Sequence, residues 1–335
     1  MVRILSLIAF YIFCTAIFSF GQSGLYSVPS FNNGHPDPVS QTILGRDNPI
    51  FLNPGFCGSE GKLRIVTSYA ADVKLFSTSL TPPTNSFESR HYEVSVDAFL
   101  PQLKGGLGVR MNINDRNDRM TGSPNDIINL SYSPKITSKN ETTIAPAIDL
   151  GINHKRHLSG TQLNLNTGIG AIINSRKSHL GFFHFVNWGS FSIPHHTKMH
   201  FGHTFDLAEH ITAGFEGQVF RKVSKNSNIS KSSSNTFQLS GKINYKKIKF
   251  VAGLSQTNFK FDNPPNFITG GSGITPIFGL GYKNDQISIN GNFILPRNRT
   301  LLINNTTDDI RDLPGSYRTR STFEIAIGYV LKEKG

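Results

Sequence analysis

The sequence predicts an all-β fold: a transmembrane, up-and-down antiparallel β-barrel of about fourteen strands. Three observations predict it. Apolar and polar residues alternate through segment after segment, a secretory leader opens the chain, and no later apolar run reaches the length of a spanning helix. Phe237, Leu239, Ile243 and Tyr245 set the pattern, with Gln238, Ser240, Lys242 and Asn244 between them. Side chains alternate across a strand, so one face is apolar and the other polar. After Lys246-Lys247 the parity resets, and Ile248, Phe250, Ala252 and Leu254 begin a second row. Two such rows joined by a tight polar turn read as a β-hairpin.

Residues 1–22 have the layout of a signal peptide. Arg3 gives a positive start, Ile4 to Phe20 is apolar apart from Ser6, Thr15 and Ser19, and Gly21-Gln22 ends the run. A transmembrane anchor is the competing reading, but no positive stop-transfer flank follows. Lipoprotein processing at Cys14 is disfavoured, because Phe13 precedes it and the apolar run continues beyond it. If Cys14 leaves with the leader, Cys57 is alone and no internal disulfide forms.

Residues 23–60 are irregular. Pro29, Pro36, Pro38, Pro49 and Pro54 break any helix or central strand. This segment is expected to plug the barrel or to hang in the periplasm. The barrel itself is assigned to 61–335.

Strands are expected at 61–70, 90–99, 105–114, 126–135, 142–153, 162–174, 179–187, 198–206, 210–220, 235–246, 248–258, 274–284, 286–295 and 321–332. Most run about 9–11 residues, the length a tilted strand needs to cross a bilayer. Leu107, Val109, Met111 and Ile113 form one apolar row; Ile144, Pro146, Ile148, Leu150 and Ile152 form another. Further rows are Leu163, Leu165, Ile169 and Ile173; Ile211, Ala213, Phe215 and Val219; Ile287, Ile289 and Phe293; and Phe323, Ile325, Ile327 and Tyr329. The opposite faces carry Arg110, Asp149, Glu216, Lys242 and Glu324. A soluble sandwich would bury its apolar face in a dry core, whereas these polar faces suit a wet lumen. With no spanning helix, a closed barrel is the remaining way to cross a bilayer.

The long loops are expected at 71–89, 115–125, 223–234, 259–273 and 296–320, after odd-numbered strands and therefore on one side. By the barrel rule that side is extracellular. The run Ser224 to Asn235 reads as a flexible loop. Aromatics such as Tyr69, Tyr92, Phe99, Tyr132, Phe182, Phe183, Phe185, Trp188, Tyr282 and Tyr329 read as an interfacial girdle.

Composition agrees. Hydrophobic content is 37%, low for a membrane protein but natural where only alternate residues meet lipid. The formal charge of +12 is spread over turns, without the basic stripe of a nucleic-acid binder. It leaves open an attraction to acidic headgroups or an acidic partner.

The histidines His179, His184, His195, His196, His200, His203 and His210 invite a metal reading, but parity splits them across the wall. His203 shares a face with Met199, Phe201 and Phe205, and His200 lies with Thr204 and Asp206. Acids stand singly, as at Asp97, Asp149, Asp206, Glu216 and Glu324, and no nucleophile motif is present. Gly105-Gly106-Leu107-Gly108 enters an alternating strand rather than a helix, so it marks close backbone approach instead of a nucleotide loop. No catalytic, cofactor or metal residues are assigned.

The motif residues carry a resemblance. Asn53-Pro54-Gly55-Phe56-Cys57-Gly58 gives an Asn-Pro-x-x-x-Gly element just before the first strand, followed by Gly61-Lys62-Leu63-Arg64. Gly105-Gly106-Leu107-Gly108-Val109 leads to Asn112, Asp115 and Ile128-Asn129-Leu130-Ser131-Tyr132, and the chain closes with Phe323-Glu324-Ile325-Ala326-Ile327-Gly328-Tyr329. Taken together, these resemble the PorP/SprF family of Bacteroidetes outer-membrane proteins along essentially the whole mature chain. The chain departs from the family at Gly55 and Cys57, where an Ala and a small residue are usual, and at Leu331, where a final aromatic is usual. The resemblance implies a non-catalytic outer-membrane barrel of the type IX secretion and gliding machinery. Its expected partners are a secreted substrate with a C-terminal sorting domain, periplasmic secretion components and outer-membrane lipid. The residue pattern alone leaves a porin or small-solute transporter open as the alternative.

Overall fold

The computed structural model describes residues 48–73, 89–116, 125–138, 141–157, 160–188, 195–225, 231–262, 268–295, 300–303 and 321–331. The leader 1–22 and residues 23–47 lie outside the described residues. A short helical turn, α1 (Pro49–Leu52), and a 3-10 turn, Pro54–Phe56, precede the wall. The wall strands are β1 (Arg64–Val73), β2 (Ser89–Leu100), β3 (Gly105–Arg116), β4 (Asn125–Pro134), β5 (Thr143–His157), β6 (Gly160–Asn174) and β7 (Ser178–Trp188). They continue as β8 (His195–Ala208), β9 (Ile211–Lys225), β10 (Lys231–Tyr245), β11 (Ile248–Asp262), β12 (Ile268–Lys283), β13 (Ile287–Ile294) and β14 (Ser321–Val330). Two short pieces prolong existing strands. Ile136–Thr137 extends β4 along β5, and Thr300–Ile303 extends β13 along β12.

Each strand pairs antiparallel with its neighbours in sequence, and β1 pairs with β14 from Arg64↔Val330 to Val73↔Ser321. The sheet is thus a closed fourteen-stranded barrel with no free edge. The short connections 175–177, 209–210, 246–247 and 284–286 share one rim with the start of β1 and the end of β14. The longer connections 74–88, 117–124 and 304–320 belong to the other rim.

The alternation decides which residues face out. Ile148 and Leu150 are 51% and 52% exposed, while Asp149 between them is 0% exposed. The same contrast holds for Phe237 and Leu239 against Gln238, and for Phe323 against Glu324. So many large apolar side chains exposed in a belt around the wall need hydrocarbon outside, because water would penalise so extensive a patch. Trp188 faces outward near the far rim, its Nε1 donating to Thr167 Oγ1 at 2.8 Å.

The strands differ from expectation in length. Several reach 15 or 16 residues because they continue towards the long-connection rim. Much of the Ser/Asn-rich stretch after Ser224 is strand, since β9 and β10 stay paired to Lys225↔Lys231. Serine and asparagine lower strand propensity, but a continuing ladder supplies the backbone bonds. The first strand begins later than expected, at Arg64, because Gly58 and Gly61 hold positive φ angles in the preceding turn. Phe183 is not part of an interfacial girdle; it is buried inside, against Arg110.

The inner face is also drier than expected. Arg110, Asp149 and Glu324 are buried. A barrel of this strand number encloses more space than wall side chains fill, so either water or further protein occupies the lumen. Replacing Leu239 by Lys places charge in the lipid belt and is expected to cost about 2–4 kcal/mol at mid-membrane depth. Asn244→Lys, of inward parity near the strand end, is expected to be nearly neutral. Folding titrations in liposomes, read by heat-modifiable gel migration, check the contrast; equal losses would overturn the facing assignment.

Candidate functional site

The lumen is occupied by residues 48–58. Asn48, Ile50, Asn53 and Cys57 are each 0% exposed. Pro49 and Pro54 start their turns at positions where a missing N–H costs nothing. Asn53 caps the second turn, its Oδ1 accepting from Gly55 N at 2.8 Å.

The Asn53 amide nitrogen then reaches the wall. It donates to the carbonyls of Ala171 and Phe182 at 3.0 and 2.9 Å and lies 3.2 Å from His200 Nε2. Ala171 and Phe182 stand opposite one another on β6 and β7. The neighbouring inward positions are Gly170 and Gly181, and a Cβ on Gly181 would sit 2.9 Å from Asn53 Nδ2 and 2.1 Å from His200 Nε2. Missing side chains let the asparagine touch the sheet backbone. Phe56 packs against the rings of His179 and His200, with centroids 5.9 and 5.5 Å away.

A second clamp lies at the short-turn rim. Asp97 on β2 accepts from Arg64 Nε at 2.8 Å and Nη2 at 3.0 Å, and from Gly58 N at 2.7 Å. Gly58 has φ +68°, and a Cβ on Gly106 of β3 would lie 1.9 Å from the Cys57 carbonyl oxygen. The glycines of the stretch entering β3 thus mark where two backbones meet.

A third clamp holds the upper part. Arg110 Nη2 donates to Asp149 Oδ2 at 2.6 Å, and its guanidinium lies 5.5 Å from the ring centroids of both Phe51 and Phe183. Asp149 also accepts from Asn129 and Ser131. Lys198 Nζ donates to the Phe51 carbonyl at 3.0 Å, and Ser95 Oγ to Asn48 Oδ1 at 2.8 Å. Ser133 and Lys135 both donate to the Gly55 carbonyl.

The motif residues Asn53, Pro54 and Gly58 therefore sit together at the heart of this closure. Four of the five acids that stand alone in the sequence acquire basic partners: Asp97 with Arg64, Asp149 with Arg110, Asp206 with Lys177 and Glu216 with Lys242. Such pairs neutralise buried or rim charge and do not gather into an acid–base site. The histidines divide as parity requires. His179 and His200 meet inside at 5.4 Å, His184 and His195 stack at 5.8 Å, and His203 lies 4.4 Å from Phe205. Among the described residues no three His, Cys, Asp or Glu are placed to hold a metal ion. Sequence reading missed Asp97, Lys198 and His200 as partners of the motif, because each lies on a strand remote from it along the chain; it missed Arg64, only six residues beyond Gly58, because the Asp97 carboxylate that joins the two is remote.

No family model and no curated protein matches the chain. Solved outer-membrane proteins resemble it in fold. The CymD monoaromatic hydrocarbon channel aligns with TM-score 0.49 and 8% identity, over 86% of this chain and 93% of that one. An outer-membrane channel of Pseudomonas putida F1 aligns with TM-score 0.41 and 10% identity, over 81% and 96%. Omp33 of Acinetobacter baumannii aligns with TM-score 0.38 and 8% identity, over 81% and 98%. The class rests on the chain's own pairing and lipid-facing belt: it is a closed antiparallel β-barrel of the outer-membrane type.

Two predictions test the closure. Burial, reinforced by the nearby Asp97 carboxylate, pushes the Cys57 thiol up to about 12. A thiol so raised is hardly ionised near pH 8, where free cysteine is substantially thiolate. Cys57 in the folded barrel is expected to resist maleimide, and Gly106→Leu, which drives into the Cys57 backbone, is expected to expose it; mass spectrometry of the alkylated protein reads the difference. Asp97→Asn leaves buried Arg64 with only the long 3.9 Å contact to exposed Glu60 and is expected to cost about 3–5 kcal/mol. Urea unfolding in detergent, compared with Asp206→Asn at the exposed rim pair, measures it.

Proposed function

We propose that this chain is a non-catalytic outer-membrane barrel of the type IX secretion and gliding machinery. It assists secretion or surface anchoring of proteins that carry C-terminal sorting domains. The observation that carries this reading is the Asn53-Pro54-x-x-x-Gly58 element, which is seated inside the barrel and bonded to its wall. A barrel stoppered by its own N-terminal segment serves as a scaffold, and its two rims are the surfaces left for partners. The resemblance of the motif, the glycine-rich entry to β3 and the last strand to the PorP/SprF family supports the specific machinery. On this reading its partners are the sorting-domain substrate, periplasmic secretion components and the surrounding outer-membrane lipid.

The rival reading is a porin or transporter for small solutes. Inward Arg110, Glu216, Gln218, Lys242 and Asn244 would line its channel. Arg110, however, is engaged by Asp149 and the N-terminal segment, and Lys242 by Glu216.

Deleting the gene is expected to abolish surface display or secretion of sorting-domain substrates, read by surface proteolysis and culture-medium proteomics. Normal export in the deletion strain overturns the secretion role. Purified full-length protein is expected to be silent in planar bilayers, and a stable open conductance supports the porin instead.

A further inference from the structure

The outward face of the wall changes character from β7 to β11 on the way to the long-connection rim. One register row crosses four of these strands as Phe182, Met199, Val219 and Phe237, each apolar and exposed. The next outward row towards that rim is polar. His184, Thr197, Arg221, Asn235 and Asn258 stand opposite one another in successive strand pairs. Side chains two apart share a face, so both rows look out from the barrel.

The polar row is a cationic surface. Arg221 is exposed and makes no ion pair among the described residues. His184 Nδ1 lies 2.9 Å from Thr197 Oγ1, and His195, one outward position further along β8, stacks on His184 with centroids 5.8 Å apart. Among the described residues no Asp or Glu takes an outward position on this half of β7 to β10. Trp188, exposed on the outward face of β7, marks this side as a membrane interface, where an indole meets both lipid and water.

An arginine without a counter-charge at the edge of a lipid belt selects its neighbour by chemistry. Its planar fork matches a phosphate through two parallel N–H bonds. The apolar row directly beside it suits acyl chains. A free phosphate would leave that row unused, and a neutral lipid would leave the cation unanswered. The amides of Asn235 and Asn258 add donors and acceptors for sugar hydroxyls. By the barrel rule the long-connection rim is extracellular, so the lipid beside it belongs to the outer leaflet.

We propose that Arg221, His195 and Asn235 form a docking site for a phosphorylated glycolipid of the outer leaflet, with its phosphate on Arg221 and its acyl chains along Phe182, Met199 and Val219. The site rests on the barrel's place in an outer membrane and is independent of the secretion role.

Full-length protein in detergent is titrated with diphosphoryl lipid A, with its dephosphorylated form and with phosphatidylglycerol, and binding is read by native mass spectrometry. Diphosphoryl lipid A is expected to bind best. Arg221→Gln is expected to weaken it by at least about tenfold, the loss of one charge-assisted pair. His195→Gln is expected to weaken it less, and Lys246→Gln on the opposite rim not at all. Equal binding of the dephosphorylated form overturns the proposal, as does undiminished binding by Arg221→Gln, which leaves that arginine merely snorkelling to water. Phosphatidylglycerol bound as tightly overturns the glycolipid as occupant. A parent chain without heat-modifiable migration overturns barrel and site together, whereas the binding outcomes touch the site alone.

Discussion

The structure depends on the closure of β1 against β14. Within hydrocarbon every backbone donor and acceptor must find a partner in the protein, and a sheet with an edge cannot supply them. Pairing from Arg64↔Val330 to Val73↔Ser321 removes the edge and at once creates an inside. With the parity fixed by lipid on one face, every inward residue must be satisfied there. The barrel meets part of that demand by folding its own N-terminal segment into the space, where Asn53, Gly58 and Asn48 bond the wall.

The manner of filling explains why charge is tolerated so deep. Asp149 is fully buried, but it accepts from Arg110, Asn129 and Ser131, and Arg110 is flanked by two aromatic faces. Buried ion pairs of this kind add little net stability over an apolar core, but removing one partner is expensive. Their effect here is to fix one seating of residues 48–58, because the same side chains bond the wall and the segment. The aliphatic alternative would pack equally well in several registers, whereas the carbonyl acceptors at Ala171 and Phe182 admit Asn53 in one.

Much of this was legible in the sequence, and the reason lies in the periodicity. All fourteen expected strands coincide with observed ones, because the two-residue repeat is enforced along each strand by lipid outside and polar contacts inside. Boundaries were less legible at the long-connection rim, where β9 and β10 run on through Ser224 and Ser232 on ladder bonds alone. The motif Asn53-Pro54-x-x-x-Gly58 was visible as a motif, but its meaning was not. The partners of Asn53 lie 118 to 147 residues away, and nothing in local spacing announces such contacts. Phe183 misled for the same reason: parity places it, and composition alone assigned it to the girdle.

The tether adds a last constraint on what the closure can do. Gly58 is clamped by Asp97, Arg64 by the same carboxylate, and Leu63 O accepts from Leu331 N at 2.9 Å, so the base of the segment is fixed to the closing strands. The few residues between can span roughly 17 Å when extended. A segment leaving the lumen therefore stays at the short-turn rim, at the high effective concentration of a short linker. Re-entry is intramolecular. Any partner that holds the barrel open must bind the segment or its vacated wall more tightly than the Asn53, Asp97 and Arg110 clamps do together, and must act from the rim where the short turns lie.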